Sequence, residues 1–107
     1  MSDSESDRVF EKAAELFGLL SAPVRLRIVC ALLGGEQNVT QLHDRVEASA
    51  ANLSQHLATL YRSGVLARRR VGSQVFYRIA NDRIRVLCEA ARVQQAAESG
   101  RPNPIDP

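Results

Sequence analysis

The feature that most constrains this chain is a change of period at Gly64. Ahead of it, Leu53, Leu57 and Leu60 recur at helical spacing between Ala50 and Ser63. Beyond it, Val65 to Arg70 and Gln74 to Ile79 are rich in β-branched and aromatic residues, with Val71-Gly72-Ser73 between them. That order predicts a short helix, a glycine stop, then a two-stranded hairpin. An isolated hairpin is marginal in water, so it must pack on helices.

The segments upstream are helical in pattern. Val9, Ala13, Leu16, Phe17 and Leu20 mark a first helix over 7–20. Ser21 is positioned to cap a second, with Pro23 in its first turn and Leu26, Val29, Cys30 and Leu33 as its stripe. Gly34-Gly35 stops it. A third, over 39–46, is capped by Thr40 or Asn38 and turns Leu42 and Val46 inward; Ser49 caps the fourth. Asn81 opens a last helix reaching about Ala97, with Ile84, Leu87, Cys88 and Ala91 on its apolar face. The expected fold is mainly α (α+β), in the order α-α-α-α-β-β-α: a winged helix-turn-helix. One domain over 7–98 is expected, between a disordered 1–6 and a disordered tail over 99–107.

Charge gives this fold a direction. The net charge is +2; setting aside −3 in the first seven residues and −1 from Glu98 onward leaves +6 on the body. Arg62, Arg68, Arg69, Arg70 and Arg78 fall between Tyr61 and Ala80 without one acid. A stripe of this kind suits a polyanion, although a solvated strand face has the same composition. The N-terminus has no basic start or apolar run, and no segment is long and apolar enough to span a bilayer, so a cytoplasmic protein without a membrane partner is expected. Cys30 and Cys88 are then thiols at rest.

With the leucines of the fourth helix inward, Ala51, Gln55, Ala58 and Arg62 point outward, and Asn52, His56 and Thr59 lie on the flank. Asn and Gln pair with adenine in the major groove, and small alanines permit close approach. Arg62 suits a phosphate. In the hairpin, Arg68 and Arg70 should share one face and Arg69 the other, with Gly72, Ser73 and Gln74 toward the minor groove or backbone. An ordinary amphipathic surface helix remains the plainer alternative, and a winged helix used only for protein contacts is another. No nucleophile motif, phosphate-cradling loop or carboxylate pair points to an enzyme.

The segments "LSAPVRLRIVCALL", "LSQHLATLYRSGVL" and "RRRVGSQVFYRI" together resemble the arsenic-repressor (ArsR/SmtB) family of winged-helix bacterial repressors, over about Leu16 to Leu87. The resemblance implies a homodimer built from the first and last helices, binding double-stranded operator DNA at an inverted repeat and released by an inducer. It implies DNA contact by Ser49, Ala51, Asn52, Ser54, Gln55 and His56, beside the Arg62, Arg68, Arg70 and Gln74 read above. Family metal sites are absent in kind: "VTQLHDRV" holds no Cys-x-Cys, and the last helix holds no histidine. His43 and Asp44 alone are too few for zinc. No metal or cofactor is therefore expected, and the inducer is open. The family branch that senses reactive sulfur has a cysteine where Cys30 stands and a second on its last helix. Cys88 is on that helix but about two turns earlier, a shift expected to work against direct pairing. Arg27 and Arg92 lie a turn from the two thiols. Inert core cysteines and a metal- or metalloid-responsive repressor, with arsenite held by three thiolates, stay open as alternatives.

Overall fold

The computed structural model describes residues 3–99. The elements are α1 (Asp3–Leu19), α2 (Pro23–Ala31), a 3-10 turn (Leu32–Gly34), β1 (Gln37–Asn38), α3 (Val39–Arg45), α4 (Ala50–Arg62), β2 (Leu66–Val71), β3 (Gln74–Ile79) and α5 (Asp82–Ser99). The mainly helical winged helix-turn-helix matches the expectation, with one added strand. β1 pairs antiparallel with β3, giving a three-stranded sheet in the order β1-β3-β2. The wing is therefore tied to the start of α3, because Asn38 pairs with Phe76. α1 begins at Asp3, ahead of the expected Asp7, so the expected disorder of 1–6 does not extend to 3–6. The expected disordered tail lies, apart from Ser99, outside the described residues.

Local chemistry explains the boundaries. α1 and the α2 segment meet at a 92° bend. Ser21 does not cap α2: its hydroxyl donates to the Gly18 carbonyl at 2.7 Å, and Ala22 takes the cap position without a side-chain bond. Pro23 opens the helix, where its missing N–H costs nothing. α3 starts with a capping box. Asn38 Oδ1 accepts from the Gln41 N–H and Gln41 Oε1 accepts from the Asn38 N–H, both at 2.8 Å. α4 starts at Ser49, whose Oγ accepts from the Asn52 N–H at 3.1 Å. It ends at Gly64, φ +80°, where the Gly64 and Val65 amides donate to the carbonyls of Tyr61 and Leu60. That pair of bonds needs a left-handed residue, which glycine adopts without strain.

The core joins the helices to the sheet. Ile28, Val29, Leu32, Leu42, Leu53, Leu57, Leu60, Val65, Leu66 and Ile84 are almost wholly buried. The α4 stripe is as expected; the α2 stripe is not. Leu26 is 38% exposed while Ile28 is fully buried. α2 is apolar nearly all round and packs on both α4 and α5, so no single stripe in its sequence marks the inward side.

Candidate DNA interface and thiol pair

α4 presents its N-terminal half outward. Ala51, Asn52, Ser54 and Gln55 are all exposed, on the side opposite Leu53, Leu57 and Leu60. Ser49 is exposed as well, but its hydroxyl is committed to the Asn52 amide. Arg62 is exposed in the last turn. The outward surface is thus small and amide-rich near the helix start and cationic at its end. An α-helix with that face fits a major groove.

His56 departs from this group. It is half-buried, and its Nδ1 accepts a hydrogen bond from Arg25 Nε at 3.0 Å. A second Arg25 nitrogen donates to the Leu19 carbonyl at 3.2 Å. The flank position assigned to His56 by the helical wheel turns toward α2, not toward the open face.

The wing arginines divide as strand alternation requires. Arg68 lies opposite Tyr77 and Arg70 opposite Val75, on the face that carries Leu66 and Ile79 into the core. The Arg68 guanidinium sits 3.9 Å from the centre of the Tyr61 ring, a cation–π contact that joins the wing to the end of α4. Arg70 is exposed. Arg69, on the opposite face, grips Glu36 with two hydrogen bonds of 2.7 Å and passes over Phe76 at 5.6 Å. Its guanidinium holds the Glu36 carboxyl below the usual range. Gln74 is less free than expected: its Oε1 accepts from Asn38 Nδ2 at 3.3 Å, which fastens the wing to the α3 cap. Gly72 makes the two-residue turn with φ +62°, a conformation the primed hairpin turns demand.

The second constellation is sulfur. Cys88 on α5 is 1% exposed, and its thiol lies near that of Cys30 on α2, which is half-buried. Both thiols are free. The early position of Cys88 on α5 leaves it a neighbour of Cys30 within the chain. α5 packs on α2 with its first turns, where Ile84 is fully buried, and the crossing brings Cys88 to Cys30 within one chain. Burial, then the neighbouring Cys30, pushes the Cys88 thiol up to about 12, and Arg85 opposes this. Arg85 is held near by donating to the Leu33 carbonyl at 3.0 Å. The Arg92 side chain lies outside the described residues. His43 and Asp44 are exposed, and among the described residues no three His, Cys, Asp or Glu groups gather as a metal site.

Sequence reasoning missed Arg25, Glu36, Asn38, Tyr61 and Arg85 as partners of the site. Arg25, Glu36, Asn38 and Tyr61 act on His56, Arg69, Gln74 and Arg68 in other elements, so no spacing rule announces them, whereas Arg85 stands three positions before Cys88, a helical spacing that could have. The other available signal was the unbroken run of arginines in β2, which alternation divides between two faces and which therefore needs a partner on each.

The comparisons agree with this geometry. The description "Bacterial regulatory protein, arsR family" matches residues 22–68, from the start of α2 into β2. The transcriptional activator HlyU of Vibrio cholerae serotype O1 is 35% identical over 89 residues, covering 83% of this chain and 82% of that protein. The crystal structure of the transcriptional repressor BigR from Xylella fastidiosa superposes with a TM-score of 0.78 at 33% identity, covering 87% of this chain and 95% of that one. Reduced HlyU from Vibrio cholerae N16961 superposes with a TM-score of 0.79 at 33% identity, covering 84% and 95%. With its helix-turn-helix, wing and fold all shared with these relatives, the chain belongs to the arsR family of bacterial regulatory proteins, winged-helix DNA-binding transcription regulators rather than enzymes.

Proposed function

We propose that the chain is a cytoplasmic repressor that binds an inverted-repeat operator as a homodimer and is released by thiol chemistry at Cys30 and Cys88. The observation that carries the sensing part is the nearness of the two thiols, one half-buried and one buried, within a single chain. Of the two, Cys30 is the one a small molecule reaches. Its thiolate attacks the sulfane sulfur of a polysulfide, forming a persulfide and expelling the shorter polysulfide. Cys88, deprotonated as it attacks, then displaces hydrosulfide from Cys30. Two thiols lose two protons and two electrons in all, and the sulfane sulfur accepts the electrons. A relative solved as the reduced protein supports a redox reading. The relatives include both an activator and a repressor, so the sign of regulation rests on the operator lying across the promoter.

Uncovered apolar surface supports the dimer. Val9, Phe10 and Phe17 on α1 are 66%, 73% and 58% exposed, and Val86 and Val93 on α5 are 66% and 69%. A groove of about 360 Å³ runs between the two helices, lined by Ala13, Leu16, Phe17, Val86 and Leu87. A two-fold pairing of α1 and α5 would cover this surface and set two copies of α4 toward one side of a duplex.

Operator binding by fluorescence anisotropy, with DNA from upstream of the protein's own gene, tests the whole reading. Reduced protein should bind; polysulfide should release it; reduction should restore it; Cys30→Ser and Cys88→Ser should abolish release. Binding that polysulfide leaves unchanged would return both cysteines to the core.

A further inference from the structure

The Arg25–His56 bond has no part in reading bases or in the thiol pair. An arginine Nε carries a hydrogen and can only donate, so His56 Nδ1 must be the acceptor, and the imidazole is neutral with its proton on Nε2. The same guanidinium donates to the Leu19 carbonyl, the last of α1 and otherwise without a helical partner. One side chain thus ties three elements: the end of α1, the first turn of α2, and the middle of α4.

We propose that His56 is a positioning residue and not a base- or phosphate-contacting one: its neutral Nδ1 holds α4 at the α1–α2 corner through Arg25, so that protonating His56 weakens operator binding. A protonated imidazole has no acceptor and sets a second positive charge against the guanidinium. The groups facing it offer no relief. Within a turn on α4 stand Asn52, Leu53, Thr59 and Leu60. From α2, Arg25 is the charged group in contact, and Arg27 is exposed. From β2, Arg68 is stacked on Tyr61, Arg69 is bound to Glu36, and Arg70 is exposed. Among the described residues the Arg69–Glu36 bridge is the sole ion pair, so no carboxylate side chain is paired with Arg25.

The sign of the pH effect separates this role from direct DNA contact. A histidine touching phosphate binds DNA more tightly when protonated; one that accepts from Arg25 binds it less tightly. The inference rests on the DNA-binding reading of α4. The test is operator anisotropy at fixed ionic strength from about pH 7.5 to about pH 5.5, the range in which histidines change charge. His43, the other histidine, is first replaced (His43→Gln) so that it does not titrate. Affinity should fall about tenfold across that range, the loss expected for a charge-assisted hydrogen bond. His56→Asn places an amide oxygen near the position of Nδ1, and should keep the high-pH affinity and flatten the profile. Arg25→Met should bind weakly and also lose the profile; circular dichroism checks that it is folded. Binding that tightens or stays level as pH falls would overturn the inference, as would an unchanged profile in folded Arg25→Met. Wild-type protein that binds no operator at any pH would overturn the DNA-binding reading with it.

Discussion

The asymmetry between the two thiols makes a quantitative prediction about which one reacts first. Cys88 is raised from 9.0 to about 12, chiefly by burial. At any pH below both values its thiolate fraction falls tenfold per unit, about a thousandfold in all. A more basic thiolate is a better nucleophile, with a slope of about 0.4–0.5, which returns a factor of about sixteen to thirty over the same interval. The native Cys88 should therefore react more slowly than the same residue in urea, by about an order of magnitude or more. Its 1% exposure makes that protection a minimum. The assay is a time course of iodoacetamide labelling near neutral pH, quenched and digested with trypsin. Cleavage after Arg27 and Arg45 isolates Cys30, and cleavage after Arg85 and Arg92 isolates Cys88, so mass spectrometry follows each separately. Cys30 should label first. Equal rates for the two cysteines in native protein, or a Cys88 as fast in buffer as in urea, would refute the reasoning and with it the division into an attacking and a resolving thiol.

Three substitutions test the remaining architecture. Gln55→Ala removes the exposed amide on α4 and should relax preference at the base it meets, by about 1–3 kcal/mol of discrimination, read by competition with single-base operator variants. Arg70→Ala should weaken all DNA alike and lower the slope of log affinity against log salt by about 0.9, since the residue is exposed and suited to a phosphate; a loss confined to one sequence would contradict that role. Leu87→Asp places a charge in the α1–α5 groove and should give monomers by sedimentation, with weak operator binding; a stable dimer at micromolar concentration would move the interface elsewhere.

Much of the reading head was legible because several local rules agreed there. Leu53, Leu57 and Leu60 set the inward face of α4, Ser49 caps it, and Gly64 stops it; each of these acts within a few residues. β1 was not legible. Two residues, Gln37 and Asn38, join the sheet through backbone bonds to β3, and their side chains show no alternation. His56 was placed on the flank by its helical angle, but which neighbour that flank meets depends on how α2 crosses α4. The nearness of Cys30 to Cys88 was not legible for the same reason. Periodicity gives the face of α5 that is buried, while the point at which it crosses α2 depends on packing between elements distant in sequence.

α2 is the element on which the proposed sensing and reading halves meet. Its Arg25 holds α4 through His56, its Cys30 neighbours Cys88 on α5, and Ile28 and Val29 fill the core between them. Cys30 follows Arg25 by five positions, about 7.5 Å along the axis, within one helix of nine residues. If sulfur chemistry at one end weakens DNA binding at the other, thermodynamic reciprocity fixes a second effect: DNA must oppose oxidation of the thiols by the same factor. A tenfold difference in operator affinity between the fully reduced and the fully oxidised dimer, which holds two such pairs, thus requires each dithiol couple to be about 15 mV more reducible, hence harder to oxidise, when operator saturates both forms. Equilibration in thiol–disulfide redox buffers, with and without saturating operator, measures this shift directly. A potential that operator leaves unmoved, in protein whose DNA affinity does depend on thiol state, would break the cycle and show that the released species is something other than the Cys30–Cys88 disulfide.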